Sequence, residues 1–388
     1  MRHSGGEKLM SALAMLGVVL ILVILWDAFE TMVLPRRVTR KFRLTRLYYR
    51  NAWGLWSKIV SVIMKRKQQE TFLSFFGPLS LLLLMFIWAT GLISGFALVN
   101  WSAANPIRTP GETAGFFTYL YLSGTTFFTL GLGDVAPVGP LARLLTAVEA
   151  GLGFGFLALV IGYLPALNQS FSRREVNISL LDARAGSPPT AAELLMRRCH
   201  DTDSTEALLQ YLTAWERWAA ELLESHLSYP VLAYFRSQHD NQSWLAALTV
   251  MLDTSAFAIS ALQGPCARQA KLTFAIARHA VVDLALVFNQ PPIKLRTSRL
   301  SPEAFALLRK TLAGEGLPIK EGEGVEQELM ELRNLYEHYV NSLSHHFRLF
   351  APPWHLETKQ QDNWMSSAWE KAGRATKAAG PEEEEDHF

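Results

Sequence analysis

Residues 129–134 read Thr-Leu-Gly-Leu-Gly-Asp, and their types and spacing suit one kind of chemistry, the holding of a dehydrated cation on backbone oxygens. Gly131 and Gly133, behind Thr129 and ahead of Asp134, permit backbone angles that a Cβ obstructs. A chain bent in this way presents successive carbonyl oxygens to one side, and rings of such oxygens replace the hydration shell a cation leaves behind. Thr129, Leu130, Gly131 and Leu132 would supply the carbonyls, with the Thr129 hydroxyl as the innermost ring. One chain lines only one side of such a path, so several chains are required.

The elements that must position this stretch are long apolar runs. Residues 9–29, 72–99 and 141–167 each reach the about 20 apolar residues that cross a hydrocarbon core about 30 Å thick. Between the second and third lies the apolar segment 116–128, which at about 1.5 Å per residue enters a membrane but does not cross it. Non-helical backbone at membrane depth is tolerated only where it is buried in protein or lines a watery path. A half-length helix leading into residues 129–134 meets that condition. The first run is too long for a signal peptide and lacks a small-residue cleavage site, so it is expected to be retained.

Basic residues crowd the segment between the first two spans, among them Arg36, Arg37, Arg40, Lys41, Arg43, Arg46, Arg50, Lys58 and Lys65. Such residues stay on the cytoplasmic side. The expected topology has the N-terminus outside, this loop inside, residues 116–134 entering from outside, and Arg173 and Arg174 inside just beyond the third span. Arg37, Arg40, Arg43 and Arg46 recur at every third position. A voltage-sensing helix would need an apolar background and acidic partners, so a helix lying on anionic inner-leaflet lipid fits the run better.

Residues 72–167 are similar to the pore module of tetrameric potassium channels, with outer helix, re-entrant pore helix, filter and inner helix. Ser123 and Thr126 fall on the pore helix, followed by Thr129, Gly131, Gly133 and Asp134, with Pro137 completing a Gly-Asp-x-x-Pro ending. The resemblance implies a homotetramer, K+ held at the Thr129, Leu130, Gly131 and Leu132 carbonyls, and passive conduction across a bacterial inner membrane. Leu130 and Leu132 replace the family's usual valine and aromatic, and Phe128 its second threonine. A non-selective cation channel is therefore the alternative within the class.

On the inner helix, Gly153 stands where the family places a gating hinge, while close packing is the competing reading for a helix that also carries a Gly151/Gly155 pair. Pro165 could bend or stop the helix. Glu149 is a carboxylate well inside a span, a functional candidate by position, whereas Asp27 and Glu30 are expected at the end of the first span and need less explanation.

The chain has 388 residues, 49% of them hydrophobic and 19% charged, with a formal net charge of +2 that hides two unlike halves. The expected domains are an N-terminal transmembrane helix (1–34), a basic interfacial segment (35–70), a pore domain (71–170), an all-α cytoplasmic domain (187–356) and an acidic-ended disordered tail (357–388). In the cytoplasmic half, Thr190 is expected to cap a helix from 191, and further helices are expected over 206–227, 243–263, 267–288, 302–314 and 325–350. Trp215, Trp218 and Trp244 read as core. His200, Glu337, His338, His345 and His346 have no catalytic or metal-ligand spacing, and Cys199 and Cys266 form no metal motif. An all-α membrane protein follows, with no enzymatic activity, no cofactor beyond the permeant ion, no nucleic-acid partner and no gating ligand assigned. The alternative from another class is a membrane-anchored signalling or enzymatic domain carrying a silent pore.

Overall fold

The computed structural model describes residues 3–34, 43–110, 114–199, 204–238, 241–294, 298–320 and 324–355. The chain is an all-α membrane protein whose contacts divide it into two units, residues 1–169 and 170–388. Arg37, Arg40, His200 and the tail from 357 lie outside the described residues.

In the first unit, α1 (His3–Ala28) ends in a π-helical turn (Phe29–Val33), and α2 (Leu44–Ile63) and α3 (Arg66–Ser74) lead into α4 (Phe76–Ser102). Glycine sets the α1–α4 contact. A Cβ on Gly17 would stand 2.7 Å from the Gly95 carbonyl oxygen, and one on Gly91 would stand 2.2 Å from the Ile24 side chain. Small residues let helix backbones close up where no water drives them together. Numbers rise along α1 as they fall along α4, so the two helices are antiparallel.

That pairing carries Asp27 to the middle of α4, not to an exposed span end. Asp27 is 4% exposed, and its carboxylate accepts from the Thr45 amide (3.2 Å), the Thr45 hydroxyl (2.6 Å) and Trp88 Nε1 (3.1 Å). It therefore caps the start of α2 from another helix, supplying an oxygen to one of the amides that a helix N-terminus leaves unpaired. Glu30 is also buried, accepting from Trp26 Nε1 at 2.8 Å and lying 3.5 Å from Arg43 Nε. The expectation that these two carboxylates need little explanation is corrected: three donors explain the first, a tryptophan and an arginine the second.

Helix α2 mixes buried, apolar and basic residues. Thr45, Trp53, Ser57 and Val60 are buried, with Tyr48 donating to the Ser80 carbonyl at 2.7 Å. Leu44, Leu55, Ile59 and Val62 are exposed and apolar, and Arg46, Arg50 and Lys58 are exposed and basic.

Helix α5 (Phe116–Phe127) is the expected half-length helix. Two-residue strands β1 (Ile107–Arg108) and β2 (Ala136–Pro137) pair antiparallel on either side of it, tying the segment before α5 to the one after residue 134. Helix α6 (Pro140–Ala185) does not stop near residue 167. It runs through the exposed Pro165, which therefore does not stop the helix, and Arg174 lies within it and is buried.

The second unit begins at Ser170 rather than 187 because Arg174, Ile178 and Leu181 of α6 are part of its core. It contains α7 (Ala191–Cys199), α8 (Ser204–Ser228), a 3-10 turn (Pro230–Tyr234), α9 (Trp244–Ala261), α10 (Gly264–Val287), α11 (Pro302–Gly314), α12 (Gly324–Asn334) and α13 (Glu337–Phe347). Thr190 caps α7 through the Glu193 amide at 3.2 Å, and Trp215, Trp218 and Trp244 are core residues. By length and composition α9 could cross a membrane, yet every one of its residues is buried inside this unit. One helix was expected over 325–350, but the chain turns at Tyr336, whose hydroxyl reaches the buried Asp253 of α9.

His226 is fully buried in this unit. Arg174 Nη1 can only donate, so His226 Nε2 accepts from it (3.3 Å) and the Nδ1 proton goes to the Leu222 carbonyl (2.8 Å). Burial, and then the Arg174 charge, hold the imidazole down at about 3 from its ordinary 6.5. The unfolded chain takes up a proton that the folded chain refuses, so this contribution is full above the ordinary value and falls as pH drops toward the depressed one. Thermal unfolding of the wild type is expected to lose midpoint steeply between about pH 6.5 and 5, with a shallower slope in His226→Gln. Equal slopes would contradict the assignment.

Candidate ion-conduction site

Helix α5 ends at Phe127, and the next residues fold back on its last turn. The Thr129 amide donates to the Thr126 carbonyl (2.9 Å), and the Leu130 and Gly131 amides both donate to the Thr125 carbonyl (2.8 and 3.3 Å). In a trans peptide the N–H and C=O point opposite ways. With their amides turned toward α5, the peptide units ending in the Phe128, Thr129 and Leu130 carbonyls aim those oxygens away from it.

The backbone continues this pattern. Thr129, Gly131 and Gly133 have φ of +57°, +53° and +79°, while Leu130 and Leu132 between them do not enter the left-handed region. Alternating handedness turns successive peptide planes the same way, which lines up oxygens on one side. For Gly131 and Gly133 this is the conformational freedom expected from the sequence. Thr129 is a different matter: a β-branched residue at positive φ is an outlier, and such strain gathers at functional sites.

Phe128, Thr129, Leu130, Gly131, Leu132, Gly133 and Asp134 are all exposed in the single chain, with Leu130 at 62% and Leu132 at 65%. The two leucines are therefore left mostly uncovered by their own subunit. Phe128 caps α5 and packs edge-on against Phe127. Asp134 accepts from the Tyr121 hydroxyl at 2.9 Å, fastening the outer end of the stretch to α5. Sequence reasoning missed Tyr121. Its signal is helical spacing: Tyr121 and Thr125 lie one turn apart on the face that turns toward 129–134, while Ser123, Thr126 and Phe127 occupy the buried face.

Ser123 thus supports the site from behind. Its hydroxyl lies 2.8 Å from the Ile93 carbonyl of α4 and is hydrogen-bonded to Glu149 of α6. Thr126 is buried beside it and contributes its carbonyl to Thr129. Gly153 faces the end of α5: a Cβ there would come 2.0 Å from the Phe127 carbonyl oxygen. Its position is explained by close packing, whereas Gly151 and Gly155 meet nothing within 4 Å in their own chain. Pro165 lies far along α6 and is not brought to the site.

Of the basic run, Arg46 is exposed as a lipid-facing residue must be. Arg43 is not: its side chain is 16% exposed, pairs with Glu30 and donates to Thr31 Oγ1 at 3.2 Å. The lipid-facing reading of Arg43 is corrected, because the carboxylate of the turn after α1 draws it inward. Arg37 and Arg40 lie outside the described residues.

Residues 80–169 match the family model described as ion channel, a segment that takes in α4, α5, the 129–134 stretch and the first part of α6. Helix α1 lies outside the matched segment. A membrane protein of Bacillus subtilis (strain 168) described as uncharacterized, YdjJ, is 29% identical over 185 residues, which are 46% of this chain and 52% of that protein. The chain thus spans about half the length of the curated relative it matches. No solved structure matches it.

Proposed function

We propose that this chain forms a homotetrameric, potassium-selective channel that conducts passively through residues 129–133. The observation that carries the reading is the backbone of that stretch, with alternating positive φ and with amides tied back to Thr125 and Thr126 so that the oxygens are free on the opposite side. Four copies follow from one stretch per chain, and the uncovered Leu130 and Leu132 are surfaces that neighbouring copies would bury. K+ would be held at the Thr129, Leu130, Gly131 and Leu132 carbonyls.

The orientation that the basic segment favours puts the N-terminus outside and the helical unit in the cytoplasm of a bacterial inner membrane. Helix α2 exposes Arg46, Arg50 and Lys58 together with Leu44, Leu55, Ile59 and Val62, a mixture that suits a helix resting on anionic lipid. The helical unit is proposed to assist assembly or gating through α6, one helix with residues in both units, rather than catalysis. In keeping with this, Glu337 is engaged by Arg299 and Arg333 instead of standing ready for a substrate.

A non-selective cation pore is the second reading, motivated by Leu132, which brings no hydroxyl to the backing of the stretch. The Tyr121–Asp134 hydrogen bond argues against it by bracing that end from α5. Native mass measurement is expected to give four chains, and liposomes are expected to release potassium far faster than sodium under equal gradients. Equal fluxes would leave the non-selective reading in its place.

A further inference from the structure

Glu149 is 1% exposed within α6, and among the described residues no charge balances it. Helix α4 has no ionisable side chain. Helix α5 brings Tyr119 and Tyr121, whose hydroxyls go to the Asn105 carbonyl and to Asp134. Along α6 the nearest ionisable residues on either side are Arg143 and Tyr163. Among the described residues Glu149 has one hydrogen-bond partner, Ser123, and no ion pair. An isolated buried carboxylate is far costlier than a neutral carboxylic acid at the same place.

The hydrogen-bond arithmetic at Ser123 points the same way. A serine hydroxyl has one proton, and two oxygens lie within its reach, the Ile93 carbonyl and Glu149 Oε1. Both oxygens are hydrogen-bonded at once only when the serine proton goes to the Ile93 carbonyl, which can only accept. The contact with Glu149 is then a hydrogen bond only if Glu149 is the donor. A charged Glu149 would set two oxygens against one proton.

We infer that Glu149 holds a proton and donates it as a hydrogen bond to Ser123, making it the positioning residue that locks α5 between α4 and α6. Two residues along α5, the Thr125 carbonyl holds the Leu130 and Gly131 amides. Loss of the proton would turn the Ser123 hydroxyl from Ile93 toward Glu149, releasing α5 from α4 and loosening the support under the conduction stretch. This consequence rests on the channel reading; the protonation itself does not.

Infrared spectra of the full chain in anionic liposomes, with flux from the same vesicles across a pH series, test both halves. The wild type is expected to show a carboxylic-acid carbonyl stretch at neutral pH that vanishes in Glu149→Gln and moves to higher frequency in Ser123→Ala. Flux is expected to fall by about tenfold as alkali removes that band, the loss that one broken buried hydrogen bond implies. Glu149→Gln, which keeps a neutral donor, should conduct without that fall. Absence of the band at neutral pH overturns the proposal, as does an unchanged alkaline decline in Glu149→Gln. A band in a wild type that passes no ions would sink the channel reading and leave the proton on Glu149.

Discussion

Replacing Gly153 by alanine is expected to abolish ion flux while Gly151→Ala and Gly155→Ala leave the subunit's own packing intact. The added methyl would stand 2.0 Å from the Phe127 carbonyl oxygen and 2.8 Å from its carbon, both backbone atoms at the end of α5. Neither can swing aside as a side chain would. Helix α6 must withdraw from α5, and α5 is what holds the amides of residues 129–131. Overpacking of this kind typically costs about 1–3 kcal/mol, and misplacing a conduction path by a fraction of an ångström costs function before it costs the fold. The check is flux per reconstituted protein beside helical content in detergent. Wild-type flux in Gly153→Ala would contradict the close packing.

The largest effect on stability is expected in the helical unit, at a buried ion pair. Asp253 lies on the enclosed helix α9 and is fully buried. Arg299 donates to both its oxygens, at 2.7 and 2.9 Å, and to Glu337 at 2.9 Å. Burial alone would lower the Arg299 pKa, but the two carboxylates overcome it and raise it, so the guanidinium stays charged. Arg299→Met would strand the Asp253 carboxylate in the core with, among the described residues, the Tyr336 hydroxyl as its remaining partner. Stranding one member of a buried pair costs about 3–5 kcal/mol, whereas replacing both by apolar residues is often nearly neutral. The thermal midpoint of the full chain in detergent should therefore drop sharply in Arg299→Met and recover largely in Asp253→Leu/Arg299→Met. Equal drops in the two variants would mean that the pair does not act as described.

How much of this was legible in the sequence follows from what each feature depends on. The half-length α5 was readable because a membrane fixes lengths, and the glycines at 131 and 133 because backbone freedom is written in residue type. Thr129 at positive φ was not readable, since nothing in a threonine advertises that geometry. Helix α9 was readable as a helix of the second half, but only packing reveals that its unit encloses every residue of a helix long and apolar enough to cross a membrane. Pro165 left a bend or an end of α6 open, and the helix continues because a proline removes only one backbone donor while Tyr163 and Leu167 on either side of it are buried. The roles of Asp27, Arg43 and Glu149 depend on partners 18, 13 and 26 positions away, which no local pattern specifies. Local propensity gave the elements, and long-range polar pairing decided which charged residues face inward.

The central claim, that cations pass along the carbonyls of residues 129–133, rests most directly on Gly131. It holds φ of +53° with no atom within 4 Å of where a Cβ would stand, so alanine there is opposed by backbone conformation and not by a clash. Potassium efflux from liposomes should be measured for the wild type and for Gly131→Ala matched for helical content and oligomeric state. Rapid efflux from the wild type and background efflux from the variant is the predicted result. Equal efflux from the two would contradict the account.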